Sequence, residues 1–300
     1  MASLWILTTL IAAAAQTVRN TVQRNLTGPL GTVGATQVRF LYGFPFSILF
    51  LAVMLAVTGW TAPAQSLTSF AFTFAGALSQ IMATALMLAA MRDRAFSVTI
   101  AYTKTEPVQV AIFGIVALGD HLSVSAALAI PIATIGVLLM AIKPGDRFGV
   151  ETVKPALLGI ASGTFFALSA IGFRGGILAL GDGPALLRAT TTLVWSLGIQ
   201  SAVLFVWLAI FNRPALLKSL ALWRASSGAG FMGALASQFW FIGFSLTSAA
   251  NVRTLGLVEV IFAQFVTRRV FSEGVAKREL VGIILVVIGV GLLLLPALLP

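Results

Sequence analysis

The sequence predicts an all-α integral membrane protein of ten transmembrane helices, built as two inverted five-helix repeats over residues 1–148 and 149–300. Three observations carry this. The chain is too apolar for water: 59% of its residues are hydrophobic and 9% charged, its mean hydropathy is +1.02, and soluble chains have about 25% charged residues. Its apolar runs approach the ~20 residues a helix needs to cross a bilayer core. The halves also echo each other: Glu106-Pro107, Leu118-Gly119-Asp120 and Gly136-Val137-Leu138-Leu139 return 153 positions later (106 to 259) as Glu259-Val260, Phe271-Ser272-Glu273 and Gly289-Val290-Gly291-Leu292. Gly34 to Arg39 is answered by Gly183 to Arg188, 149 positions on (39 to 188), and Ser47 by Ser196. Internal duplication in so apolar a chain marks a pseudo-twofold transporter.

Cutting at glycine, proline and charge clusters sets the ten spans in order. The first, 3–25, is followed by more apolar sequence with no small-residue cleavage site, so it is a retained helix rather than a signal peptide. The second, 31–58, starts past Gly28-Pro29 and stops at Gly59; the third, 66–91, stops at Arg92-Asp93-Arg94. The fourth, 95–118, closes on Gly119-Asp120, and the fifth, 124–142, on the longest polar linker, Lys143 to Lys154. The sixth, 154–179, ends before Gly181-Asp182-Gly183, and the seventh, 184–211, at Asn212-Arg213-Pro214. The eighth, 226–248, follows Arg224; the ninth, 250–271, and tenth, 279–298, are parted by Ser272-Glu273-Gly274 and Lys277-Arg278. Five spans enter on one face and leave on the other, so the second copy is inverted and the shared site lies near midplane.

The net charge of +10 sits mostly in short loops, where it sets topology rather than binding nucleic acid. Arg92, Arg94, Lys143, Arg147, Lys154, Arg213, Lys218, Arg224, Arg268, Arg269, Lys277 and Arg278 share one side. The positive-inside rule makes that side cytoplasmic and puts both termini outside, as in a multi-pass protein of a bacterial inner membrane. With no cysteine and His121 as the single histidine, disulfides, thiolate sites and histidine-rich metal sites are excluded. No cofactor is implied. The partners expected are lipid and a small-molecule substrate; one chain suffices, and a homodimer is compatible with it.

The run Thr105-Glu106-Pro107-Val108, then Leu118-Gly119-Asp120-His121-Leu122, then Ile135-Gly136-Val137-Leu138-Leu139, resembles the EamA-type repeat of the drug/metabolite transporter superfamily. The resemblance spans nearly the whole chain. It departs at Asp120, where glutamate is usual, at Val260, which replaces a second-half proline, and at Phe271-Ser272-Glu273, which replaces Leu-Gly-Glu. It implies a ten-helix exporter or exchanger of small metabolites, amino acids prominent among them, working without ATP.

Charged groups within a membrane span are functional candidates by default. Lys104 and Glu106 fall near the middle of span four and Glu259 near the middle of span nine; Arg19, Arg39, Arg188 and Arg253 lie nearer the span ends. Five basic residues against two acidic ones favour a carboxylate or phosphate ligand. Glu106 and Glu259, equivalent by the repeat, are either proton-coupling sites or permanent partners of a nearby Lys or Arg. Lys104 and Glu106, two apart, point to different helix faces and are not expected to pair. Pro107 removes a donor and displaces the carbonyl of Thr103, which either breaks the helix at a cavity or merely kinks it. Tyr102 and Thr103 on that turn could hydrogen-bond a ligand.

Gln16, Arg19, Asn20 and Gln23 form one polar face on the first helix, lining either a cavity or an interhelical seam; Arg24 at its end reads as a headgroup anchor. Gln80 and Gln238 follow similar runs of small residues, suited to close helix packing with one interhelical bond or to a ligand. Trp240 could stack on a substrate or fill space. Trp5, Trp60 and Trp223 read as interfacial anchors, and Arg174, Asp120 and Glu273 as groups that orient or cap helices. His121 is either an external pH sensor or an ordinary loop residue.

A membrane enzyme would need a nucleophile, an acid–base pair or a metal cluster, and none is apparent; a channel would want a filter loop or an oligomeric ring. A secondary transporter using alternating access fits instead. Its leading substrate is an amino acid or related carboxylate, ahead of a phosphorylated metabolite or nucleotide sugar, and of a cationic drug.

Overall fold

The computed structural model describes residues 4–93, 102–141, 150–262 and 277–298. Among these there is no strand, and the helices are α1 (Leu4–Leu41), α2 (Gly43–Thr58), α3 (Leu67–Asp93), α4 (Glu106–Leu118), α5 (Val124–Ala141), α6 (Val150–Leu178), α7 (Ala185–Phe211), α8 (Arg213–Ala221), α9 (Trp223–Leu246), α10 (Ala249–Leu255) and α11 (Lys277–Leu298). Six described segments are long and apolar enough to cross a membrane, and α4 and α5 are shorter apolar helices. Polarity is distributed as lipid demands. Leu67 and Val116 are at least 80% exposed, whereas Arg19, Arg39, Gln37 and Glu259 are buried. Helices satisfy most of their own backbone groups, the arrangement hydrocarbon requires.

The first two expected spans are not separated by a loop. Helix α1 continues to Leu41 through a break at Gly31, whose φ of 69° and ψ of 176° leave the helical region. A left-handed φ favours glycine, which has no Cβ to clash, and Pro29 beside it removes a further donor. In a straight helix Gln23 and Ala35 would stand about 18 Å apart at 1.5 Å per residue. Instead Gln23 Nε2 donates to the Ala35 carbonyl at 2.9 Å, so the chain folds back at Gly31 and Gln23 braces the bend. This is the residue's role; it does not face the cavity described below.

Three further differences have local causes. The fourth expected span is interrupted: Tyr102 and Thr103 are helical, Lys104-Thr105 form a turn, and α4 runs on from Glu106. Residues 212–222, read as a basic loop, contain helix α8, started by Asn212, whose side chain accepts from Ala215 N, and held by Tyr42 Oη donating to the Ser219 carbonyl at 3.1 Å. The expected ninth span is interrupted: α10 stops at Leu255, and the chain resumes a helical path from Val258. The linker at 143–154, Arg94, Arg268-Arg269, Phe271-Ser272-Glu273 and the side chain of Arg24 lie wholly or partly outside the described residues.

Helix α3 packs along α6, α5 along α11, and α1 along α9. Small residues permit these approaches, because in lipid helix association relies on close van der Waals contact. A Cβ placed on Gly172 of α6 would stand 2.7 Å from Gly76 Cα of α3, and one on Gly136 of α5 would stand 2.7 Å from the Gly282 carbonyl of α11. Ser69 Oγ adds a bond to the Gly176 carbonyl at 2.8 Å. Substituting Gly172→Val should therefore lower the unfolding midpoint of the detergent-purified protein, by about 1–3 kcal/mol of stability as overpacking typically costs. Gly228→Ala, where a Cβ meets nothing within 4 Å, should leave the midpoint unchanged.

Candidate functional site

The polar residues of α1 do not face outward; they meet charged residues from the two interrupted helical paths. Gln16 Nε2 donates to Glu259 Oε2 at 2.9 Å and Asn20 Nδ2 to Glu259 Oε1 at 3.1 Å. Lys104 Nζ completes the shell with an ion pair to Glu259 Oε2 at 2.7 Å. Gln16 is itself oriented by Trp240, whose Nε1 donates to Gln16 Oε1 at 2.9 Å. Glu259 is thus a buried carboxylate satisfied by three donors from two chain segments, which is what a charge away from water requires.

Glu106 lies 3.0 Å from Arg253 Nε. Neither atom makes an aligned hydrogen bond, so this contact is electrostatic rather than directional. The Arg253 guanidinium is further held over the rings of Trp240, at 4.6 Å, and Phe244, at 5.3 Å, in cation–π contact. The pairing is therefore crossed. Lys104, just ahead of α4, serves the carboxylate beyond α10, and Arg253 of α10 serves the carboxylate that opens α4. Lys104 and Glu106 do not pair with each other.

These groups line one buried cavity with Arg19, Arg39, Gln80 and Thr103. Its remaining wall is Met87, Phe166, Phe173, Ser237, Phe241 and Phe244. Four cations and two carboxylates thus face the same space. Arg19 Nη2 donates to Asn20 Oδ1 at 2.7 Å and Arg39 Nη1 to Thr84 Oγ1 at 3.2 Å, but neither arginine has a carboxylate partner among the described residues. Both run past Gly233 of α9, where an added Cβ would meet Arg39 Cγ at 3.1 Å and Arg19 Cδ at 3.5 Å. The free volume is about 30 Å³. That is room for two or three waters at the ~10–15 Å³ each requires, so a larger ligand enters only if the walls move.

The helix interruptions are what bring the carboxylates here. Pro107 was expected either to break its helix at a cavity or merely to kink it. The break instead precedes it, at Lys104-Thr105, and Pro107 occupies the first turn of α4, where its missing N–H is not needed. The second interruption has no proline. There Gly256-Leu257 form the turn, and Glu259 N and Val260 N bond to the carbonyls three residues back, at 3.1 Å each. A Cβ at Gly256 would collide with the Trp240 ring, so glycine lets the turn press against the indole that orients Gln16.

Four predicted ligand residues are elsewhere. Gln23 braces the Gly31 bend. Gln238 is off the wall, donating to Thr190 Oγ1 at 2.8 Å. Tyr102 and Arg188 are half-buried and do not line the cavity; Arg188 sits at the start of α7 beside Gly183. Gln80 does line it, its Oε1 accepting from Gln200 Nε2 at 2.9 Å. Sequence reasoning missed Gln200 and Thr84 as partners, although an isolated glutamine in an apolar span was a usable signal. It had no means of singling out the aromatic wall from many other phenylalanines. Arg174 does more than cap a helix: it pairs with Asp120 at 3.0 Å and donates to the carbonyls of Phe244 and Thr247 at 2.6 and 2.5 Å, joining three elements at one end of the bundle.

No family model matches the sequence, and no curated protein matches it. By structure, 28 solved chains match. One protein known from its crystal structure superposes with a TM-score of 0.70 at 14% identity, over 99% of this chain and 97% of its own. At that identity the likeness shows a shared fold alone.

Breaking a buried ion pair from one side leaves an uncompensated charge, at about 3–5 kcal/mol. Lys104→Met and Glu259→Gln should each lower the unfolding midpoint sharply. The double variant, which keeps an amide for Gln16 and Asn20, should unfold above both single variants.

Proposed function

We propose that the chain is a secondary transporter of small organic anions, working by alternating access around the cavity between α1, α4, α9 and α10. The observation that carries this is the charge of the cavity wall: four cations against two carboxylates, buried in a bundle whose outer surface is apolar. Buried charge in a membrane protein is expensive and marks a substrate or ion pathway. Both carboxylates already have a cation partner, so the groups left for a ligand are Arg19 and Arg39, suited to a carboxylate or phosphate. An amino acid would place its ammonium among cations, with only the aromatic wall to receive it. A carboxylate or phosphate ester without an ammonium suits the wall better. The same pairing favours Glu106 and Glu259 as fixed counter-charges over proton carriers.

The architecture proposed is the ten-span pair of inverted repeats of an EamA-type drug/metabolite transporter, with basic loops facing the cytoplasm. Several features support it. Glu106 and Glu259, 153 positions apart, each follow a helix interruption, and interrupted helices at the repeat interface are where transporters of this architecture bind substrate. The packing partners also exchange as a twofold repeat requires: α3 with α6 in one sense and α9 with α1 in the other. A ring or filter loop, as a channel would use, finds no support in the cavity.

The test is a thermal-shift screen of purified protein against organic acids, phosphate esters, amino acids and cationic dyes, since a ligand of the folded state raises its midpoint by mass action. Organic acids or phosphate esters should stabilise; stabilisation by cations alone would sink the proposal. Arg19→Ala and Arg39→Ala should each weaken binding of the stabilising anion by about 10–100-fold, as loss of a charged hydrogen bond of ~1.5–3 kcal/mol implies. Arg188→Ala, off the cavity, should bind as wild type.

A further inference from the structure

We infer that transport by this chain is obligatory exchange: the carrier changes sides at a useful rate only with an anion bound, so every anion carried one way is matched by one carried back. The inference rests on the transporter reading above and concerns the return step through the same cavity.

The charges divide into a neutral set and a residue. Lys104 with Glu259, and Arg253 with Glu106, cancel in crossed pairs at 2.7 and 3.0 Å. Arg19 and Arg39 remain, each 2% exposed, side by side across Gly233. Their solvation by the protein is incomplete: Arg19 Nε and Nη1 and Arg39 Nε have no hydrogen-bond partner among the described residues. The free space of about 30 Å³ is too small to hydrate two guanidiniums. An arginine cannot escape by giving up its proton. Two like charges thus persist in low dielectric wherever the walls have closed.

Alternating access requires passage through a form closed on both sides. Without an anion, that form holds two uncompensated cations, and burying a charge without its partner is strongly unfavourable. With an anion bridging the two guanidiniums, the charges are paired and the unmade donors are used. The ligand therefore lowers the barrier to reorientation, in either direction. The asymmetry comes from Arg19 and Arg39 and does not need a proton or a metal ion.

The experiment compares two fluxes in proteoliposomes, with external labelled phosphate, succinate or glutamate as probes. One lumen holds the same unlabelled probe. The other holds potassium dextran sulfate, a polymer too large for the cavity, with valinomycin present so that membrane potential does not limit net uptake. For the probe that is carried, uptake into the loaded lumen should exceed uptake into the dextran sulfate lumen by about a hundredfold, since each 1.36 kcal/mol in a barrier is tenfold. Arg39→Gln should reduce that ratio by about tenfold or more, and Arg19→Gln, a second variant in case the first fails to fold, should do the same. The ratio is internal to each preparation, so it does not depend on the amount of folded protein. Equal uptake into both lumens by the wild type would overturn exchange while leaving transport intact, as would a ratio unchanged in both folded variants. No uptake of any probe into the loaded lumen, with no thermal stabilisation by any of them, would overturn the transporter reading itself.

Discussion

The burial of Glu259 is the constraint from which much of this molecule follows. A carboxylate enclosed in an apolar bundle must be met by donors, and here Lys104, Gln16 and Asn20 meet it at 2.7 to 3.1 Å. Three segments far apart in the chain are fixed in register by that single group. Gln16 must be turned the right way, which engages Trp240. Trp240 then needs room at Gly256 and a cation, Arg253, above its ring. Arg253 in turn lies against Glu106.

The apolar exterior and the polar interior answer to the same solvent. Lipid gives no hydrogen bonds, so helices satisfy their own backbones, and it gives little hydrophobic drive between helices, so they associate through close contact. The glycine approaches of α3 with α6 and of α5 with α11 are that contact. Within such packing, an interrupted helix is tolerated only where it faces protein or a cavity. Both interruptions, at Lys104-Thr105 and at Gly256-Leu257, lie beside the charged cavity. The closeness of packing that gives the bundle its stability also leaves the cavity narrow, which is why a ligand larger than water enters only if its walls move.

Much of the site was legible in the sequence because charge is rare in an apolar chain. Arg19, Arg39, Lys104, Glu106, Arg253 and Glu259 stood out on that ground alone, Gln16 and Asn20 by their polarity beside Arg19, and all of them line one cavity. The helical period placed Gln16, Arg19 and Asn20 on a common face. The same reasoning overreached at Gln23, Gln238 and Arg188, because polarity identifies a residue that needs a partner without saying whether the partner is a ligand. Gln23 finds a backbone carbonyl and Gln238 a threonine hydroxyl. The aromatic wall was illegible for the opposite reason: with 22 phenylalanines in the chain, Phe173 or Phe244 carries no local mark.

By itself the sequence determined the solvent of this protein, its helical class and the identity of the groups that must be paired inside it. Those properties follow from composition and short-range period, which act on each residue through its neighbours in the chain. Only the tertiary structure decided who pairs with whom: that the carboxylates are crossed between two interrupted helices, that Lys104 turns away from Glu106, and that Arg19 and Arg39 are left without a carboxylate among the described residues. Pairing energy depends on distance and burial between segments as many as 243 residues apart. The fold-back at Gly31 and the approach of α9 fix those distances, and no local pattern encodes them.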